Sequence, residues 1–132
     1  MDARIDPQHA LGFDFGDAHV LRNAGAVVTD DVLRSLVLSQ RLLQTRSVAV
    51  MAHTECGLRA VHDDDLAAEL TRETGQAPPF AFGAFFDLHE HVRSQVERVR
   101  TCPWLPHVDD VRGYVLDIAN GAVETVVSPK SR

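Results

Sequence analysis

The chain has 132 residues, 45% apolar and 24% charged, and a formal net charge of −6, which suits one soluble globular core and not two. The acidic balance, with no basic run interleaved with aromatics, excludes a phosphate-backbone partner, so no nucleic acid is expected. No apolar stretch approaches the roughly 20 residues of a membrane span and no signal-peptide pattern precedes the fold, so no membrane partner is expected either. Two cysteines, Cys56 and Cys102, read as thiols of a reduced, cytoplasmic protein.

In chain order, Met1 to Asp6 has no strand pattern before it. Asp2 and Arg4 share a face if extended, and Pro7 then stops any ladder. On the residues alone they are a solvated ion pair near a free end. Gln8 to Gly16 reads as a loop or short helix. Asp17 to Asn23 reads as a strand with Ala18, Val20 and Arg22 on one face, His19 and Arg22 being structural and Arg22 also a candidate for an anion or subunit contact. Thr29 is a good N-cap, and Asp30 and Asp31 suit the first turn of a helix running to about Gln44. Its leucines and valines cover well over one face, which predicts a buried helix completing a right-handed crossover into the next strand.

That strand, Val48 to Ala52, is a short run of small and β-branched residues, the pattern of a strand buried on both faces of a parallel sheet. Ligands bind at the carboxyl edge of such sheets, where His53 and Cys56 stand three residues apart. A neutral imidazole and a thiolate suit zinc. A strand-end histidine bonded to a backbone carbonyl beside a small buried cysteine fits the same spacing.

Asp63 to Asp65 reads as the acidic start of a helix rather than a second metal site, with Gly75 at its C′ position. Phe80, Phe82, Phe85 and Phe86 form a cluster suited to core or subunit packing. Gly83 to Thr101 carries a helical stripe from Phe85 to Val99, on which His89 and His91 diverge and make poor joint ligands. Cys102 fills a small apolar space in the bend C-P-W-L-P. Val111 to Ile118 and Ala122 to Val127 read as strands joined by an Asn120-Gly121 turn, and the tail from Ser128 is expected to fray.

Three motifs in order, M-D-A-R-I-D-P at Met1 to Pro7, G-D-A-H-V-L-R-N-A-G at Gly16 to Gly25 and H-T-E-C-G at His53 to Gly57, together with T-D-D-V-L-R-S-L at Thr29 to Leu36, resemble the compact bacterial branch of the β-class carbonic anhydrases. The resemblance implies an α/β fold, a parallel-centred β-sheet flanked by helices, in one domain over residues 1–132. It implies one Zn2+ per chain, reversible hydration of carbon dioxide to bicarbonate by a zinc-bound hydroxide, and a homodimer or homotetramer. In the family pattern C-x-D-x-R the cysteine is a zinc ligand. Here Asp2 and Arg4 match, while the cysteine position falls immediately before Met1.

The expectation is therefore a member incomplete at its amino end, without the first zinc ligand and the first central strand, and poorly stable or aggregating when isolated. His53 and Cys56 are the implied metal ligands present. Asp2 is the implied acceptor for the zinc-bound water or hydroxide, Arg4 orients it, and Asp2 becomes a metal ligand itself in a closed state. Two alternatives stand beside this. One is a catalytically degenerate scaffold or assembly partner, and the other a related zinc hydrolase of carbon disulfide or carbonyl sulfide.

Overall fold

The fold is organised by the packing of one helix on one strand. The structure, a computed structural model, describes residues 1–131; Arg132, at the end of the tail expected to fray, lies outside them. Val92, Val96 and Val99 of the long helix and Val111 of the facing strand are each at most 1% exposed. Gly113 opposite them has no side chain to hold the layers apart.

The helices are α1 (Pro7–Leu11), α2 (Asp30–Leu43), α3 (Asp63–Thr74) and α4 (Leu88–Arg100), and the strands are β1 (Val48–His53), β2 (Val111–Leu116) and β3 (Val123–Val127). Short 3-10 turns occupy Ala24–Ala26 and Gly57–Ala60. The sheet order is β1-β2-β3, with β1 and β2 parallel from Val48 opposite Val111 to His53 opposite Leu116. β3 returns antiparallel, with Val123 opposite Leu116. This is the expected α/β architecture, and the hairpin turn is where Asn120-Gly121 places it, Gly121 taking φ 75°.

Helix starts follow their caps. The Thr29 hydroxyl accepts from the Val32 N–H at 3.3 Å, and the Asp87 carboxylate accepts from the Glu90 N–H at 3.0 Å. Gly75 closes α3 in the left-handed region, as its position predicts. Cys102 is buried in the core cluster, in keeping with a space-filling thiol. His91 is buried while the His89 side chain is 42% exposed, so the two do diverge.

Three expectations are corrected. The segment 17–23 forms no strand: among the described residues no strand pairs with it, and Val20 and Leu21 are exposed. With that strand absent, no β-α-β crossover precedes β1. Helix α2 is also not a buried helix. Val32, Leu33, Leu36 and Val37 pack on the core, but Leu42 and Leu43 are exposed, and the residues it buries are Ser39 and Gln40. Gln40 is satisfied there because its amide donates to the His107 carbonyl at 2.9 Å and accepts from the His107 N–H at 3.0 Å. Finally, the tail is tied rather than loose, since the Lys130 N–H donates to Asp109 and the Ser128 carbonyl accepts from Arg100.

Candidate active site

β1 ends at His53, at the carboxyl edge of the parallel pair. The chain beyond it is held by Thr54, whose N–H donates to the Leu116 carbonyl at 2.9 Å and whose hydroxyl accepts from the Ile118 N–H at 2.9 Å. Glu55 then enters the left-handed region at φ 55°, uncommon for a residue with a Cβ. That reversal sets Cys56 at the head of the 3-10 turn Gly57–Ala60. His53 and Cys56 thus leave the strand on a loop anchored twice at Thr54.

The His53 ring is oriented by its own loop. Nδ1 lies 2.6 Å from the Thr54 carbonyl, which can only accept, so Nδ1 carries a proton and, in the neutral ring, Nε2 carries the lone pair. Nε2 lies 3.8 Å from Asp2 Oδ2, with the His53 and Asp2 side chains 12% and 18% exposed. The sequence alternative of a strand-end histidine bonded to a carbonyl therefore holds for Nδ1. It leaves Nε2 free for a second partner.

Asp2 is gripped from within its own turn. Arg4 donates from Nε to Oδ1 at 3.0 Å, from Nη2 to Oδ2 at 2.7 Å and from its backbone N–H to Oδ1 at 2.9 Å. The Arg4 side-chain bonds, then its backbone N–H, hold the Asp2 carboxyl well below the usual carboxylate range, against a smaller opposing effect of desolvation. Asp2 is thus an acceptor at any physiological pH. Arg4 also reaches Glu55, with Nη1 3.5 Å from Oε2, so one guanidinium bridges the Asp2 turn and the His53–Cys56 loop. Its own pKa is raised, chiefly by the Asp2 hydrogen bonds.

Among the described residues no three His, Cys, Asp or Glu side chains gather as a metal site. The donors present suit zinc in kind, since His53 offers a lone-pair nitrogen and Cys56 a sulfur from the adjoining turn. They fall short in number, because a catalytic zinc takes three protein ligands. Elsewhere, Asp63 accepts from the N–H groups of Phe82, Gly83 and Ala84 at 2.8 to 3.0 Å. The acidic run is therefore a loop anchor. A cleft lined by Thr54, Arg59, Phe86, Asp87, His89 and Glu124 has neither Asp2, His53 nor Cys56 in its wall.

Sequence reasoning did not find two contacts of this site. Glu55 as a partner of Arg4 had a signal in its place between His53 and Cys56. Arg22, which donates to the Asp2 and Ile5 carbonyls, had none, because backbone acceptors leave no mark in a sequence.

Comparison with known proteins identifies the family. A family profile described as carbonic anhydrase matches residues 1–78. β-Carbonic anhydrase 1 of Mycobacterium tuberculosis is 44% identical over 126 residues, spanning 96% of this chain and 77% of that one. A carbon disulfide hydrolase of Acidithiobacillus thiooxidans is 30% identical over 142 residues, spanning 92% of this chain and 71% of that one. The crystal structure of a carbonic anhydrase from Streptococcus mutans superposes with a TM-score of 0.88 at 37% identity, covering 96% of this chain and 77% of that chain. With a carboxylate–guanidinium pair facing a strand-end histidine and a cysteine three residues on, and with relatives of this identity and coverage, the chain belongs to the β-carbonic anhydrase family.

Proposed function

We propose that this chain catalyses the reversible hydration of carbon dioxide to bicarbonate as a zinc enzyme, in the cytoplasm and as a homodimer or homotetramer. The observation that carries the reading is the Asp2 carboxylate, fixed by three hydrogen bonds from Arg4 and set 3.8 Å from the free Nε2 of His53. His53 and Cys56 are the metal donors of this reading, joined by a third protein donor that the described residues do not gather. When bound, zinc brings the pKa of a water down to about 7, so that hydroxide is available near neutrality.

The residues of the chain supply orientation. Asp2, ionised and without a proton to give, accepts the O–H of the attacking species and leaves an oxygen lone pair facing the carbon of carbon dioxide. Arg4 keeps that carboxylate in one rotamer and, by occupying both of its oxygens, keeps it off a metal. His53 cannot rotate away without breaking its Thr54 bond. Carbon dioxide is apolar and carries no charge for this site to bind, so geometry is the main contribution. Loss of the Arg4 grip frees Asp2 to act as a ligand itself, the closed state of the site.

The test is made on protein isolated from its native source, with intact mass and zinc content determined on the same sample as the initial rate of carbon dioxide hydration. Hydration above the buffer rate with about one zinc per chain supports the reading. Hydrogen sulfide release from carbon disulfide without hydration transfers the site to the hydrolase chemistry named for the Acidithiobacillus relative. Zinc-free, inactive protein identifies a scaffold that has lost the reaction.

A further inference from the structure

Residues 1–5 carry the Asp2 carboxylate yet belong to no helix or strand. Their internal bond is a turn in which the Ile5 N–H donates to the Asp2 carbonyl at 3.2 Å. Arg22 spans that turn. Its Nη2 donates to the Asp2 carbonyl at 2.6 Å and its Nη1 to the Ile5 carbonyl at 3.1 Å, so one rigid guanidinium fork holds both ends of the loop at once. The next residue adds to the grip, the Asn23 carbonyl accepting from the Met1 nitrogen at 2.6 Å. Asn23 is in turn fixed by a reciprocal pair, its side chain donating to the Val27 carbonyl at 2.7 Å and accepting from the Val27 N–H at 3.1 Å. Val27 leads into Val28, a core residue 3% exposed. A continuous path of hydrogen bonds and chain therefore joins the core to the loop that presents Asp2.

We propose that Arg22 is a positioning residue for carbon dioxide hydration, its fork on the Asp2 and Ile5 carbonyls holding the turn that faces the Asp2 carboxylate toward His53. The proposal rests on the carbonic anhydrase reading above. The reason a clamp is needed is that the Asp2–Arg4 pair is local to the turn. It fixes the carboxylate relative to its own loop and not relative to His53. The second tie of the loop across to the histidine, Arg4 to Glu55, is a longer contact at 3.5 Å between side chains that are 55% and 67% exposed, the kind that water and salt weaken. Arg22 bonds instead to backbone, which does not change rotamer.

The experiment compares wild type with Arg22→Met and Arg22→Lys in two readouts. Hydrogen exchange on metal-free protein follows the Arg4 and Ile5 amides, whose acceptors are the Asp2 carboxylate and carbonyl. Hydration kinetics follow the loaded enzyme. Arg22→Met is expected to lower the protection of both amides at least tenfold and kcat/KM by about the same factor, with the unfolding temperature within 2 °C of wild type, as a roughly estimated bound for an exposed site. Lysine reaches only one carbonyl and should restore part of each. Guanidinium ion at low millimolar concentration should partly rescue Arg22→Ala, which a global loss of stability would not allow. Active wild type with unchanged protection and kinetics in Arg22→Met overturns the clamp alone. Inactive wild type overturns the carbonic anhydrase reading, and the clamp's role in it with that reading. Should Arg22→Met fail to fold, Arg22→Lys carries the same comparison, and wild-type protection and kcat/KM there refute the need for the fork.

Discussion

Placing a methyl group on Gly113 tests whether the α4–β2 contact is the element that sets the sheet. A Cβ there would lie 2.6 Å from Val92 Cγ1, 3.0 Å from Val96 Cγ2 and 3.2 Å from Val127 Cγ2, all inside the ~3.5–4 Å at which carbon atoms attract. Neither helical valine can turn aside easily, because a β-branched side chain in a helix has essentially one rotamer. The helix must therefore back away from β2, opening contacts around Val99 and Val111, both fully buried. Overpacking of this kind costs about 1–3 kcal/mol. In a chain of this length that lowers the unfolding temperature by roughly 4 °C for each kcal/mol.

Thermal unfolding by circular dichroism reads the shift, and the double variant Gly113→Ala/Val92→Ala tests its cause. If the clash is real, removing the valine methyls relieves part of it, so the double variant loses less than the two single losses combined. A Gly113→Ala protein melting within 1 °C of wild type, a bound set roughly by ordinary surface substitutions, would refute the packing argument. So would strict additivity in the double variant. The consequence reaches the site because β2 is the parallel neighbour of β1, and the Leu116 carbonyl holds the Thr54 N–H beyond His53.

Further outcomes follow from single groups. Three backbone N–H bonds, the one from Ala84 strongest, depress the Asp63 pKa below its ordinary 3.8, so the bonds stabilise the fold above the unfolded value and are lost as pH falls through the folded one. Asp63→Asn should cost about 1–2 kcal/mol at pH 7, allowing for partial exposure, and should flatten the acid limb of a stability–pH curve; an unchanged limb would show that another group controls it. Burial lowers the His91 pKa below 6.5 despite its bond to the Gly25 carbonyl. Its neutral form therefore favours the fold above pH 6.5, and stability falls as the unfolded state takes up protons below that value. His91→Gln, compared with wild type in urea titrations, should lose this slope between about pH 5 and 7, and retention of the slope would exclude His91 as its source. Arg4→Ala should lower carbon dioxide hydration at neutral pH at least about tenfold by releasing the Asp2 carboxylate, and unchanged activity would count against the orienting role.

What the sequence made legible is local. The α4 stripe from Leu88 to Val99, the Thr29 cap, Gly75 and the Asn120-Gly121 turn each depend on residues within a few positions and are found there, although α4 begins at Leu88, after the Asp87 cap, and not at the expected Gly83. The H-x-x-C spacing likewise marked the end of β1. What could not be read depends on partners far along the chain. A strand over 17–23 needs a partner strand as well as a pattern, and none of the described strands pairs with it. The inward face of α2 is set by the Gln40 amide closing on the backbone of His107, 67 positions away, so an amide is buried while Leu42 and Leu43 are not. The same holds at the site. Asp2 and Arg4 look like a terminal ion pair until His53 is placed beside them, and Arg22 looks like a strand residue until its fork is seen on the Asp2 and Ile5 carbonyls.

In the proposed reaction the Asp2 carboxylate facing His53 orients the species that attacks carbon dioxide. The most direct measurement is the stopped-flow rate of carbon dioxide hydration by wild type and Asp2→Asn at matched metal content and matched unfolding temperature. Wild type is expected to exceed the buffer rate and Asp2→Asn to fall about a hundredfold or more, because the amide presents a donor where an acceptor is required. A variant that hydrates carbon dioxide at the wild-type rate would contradict it.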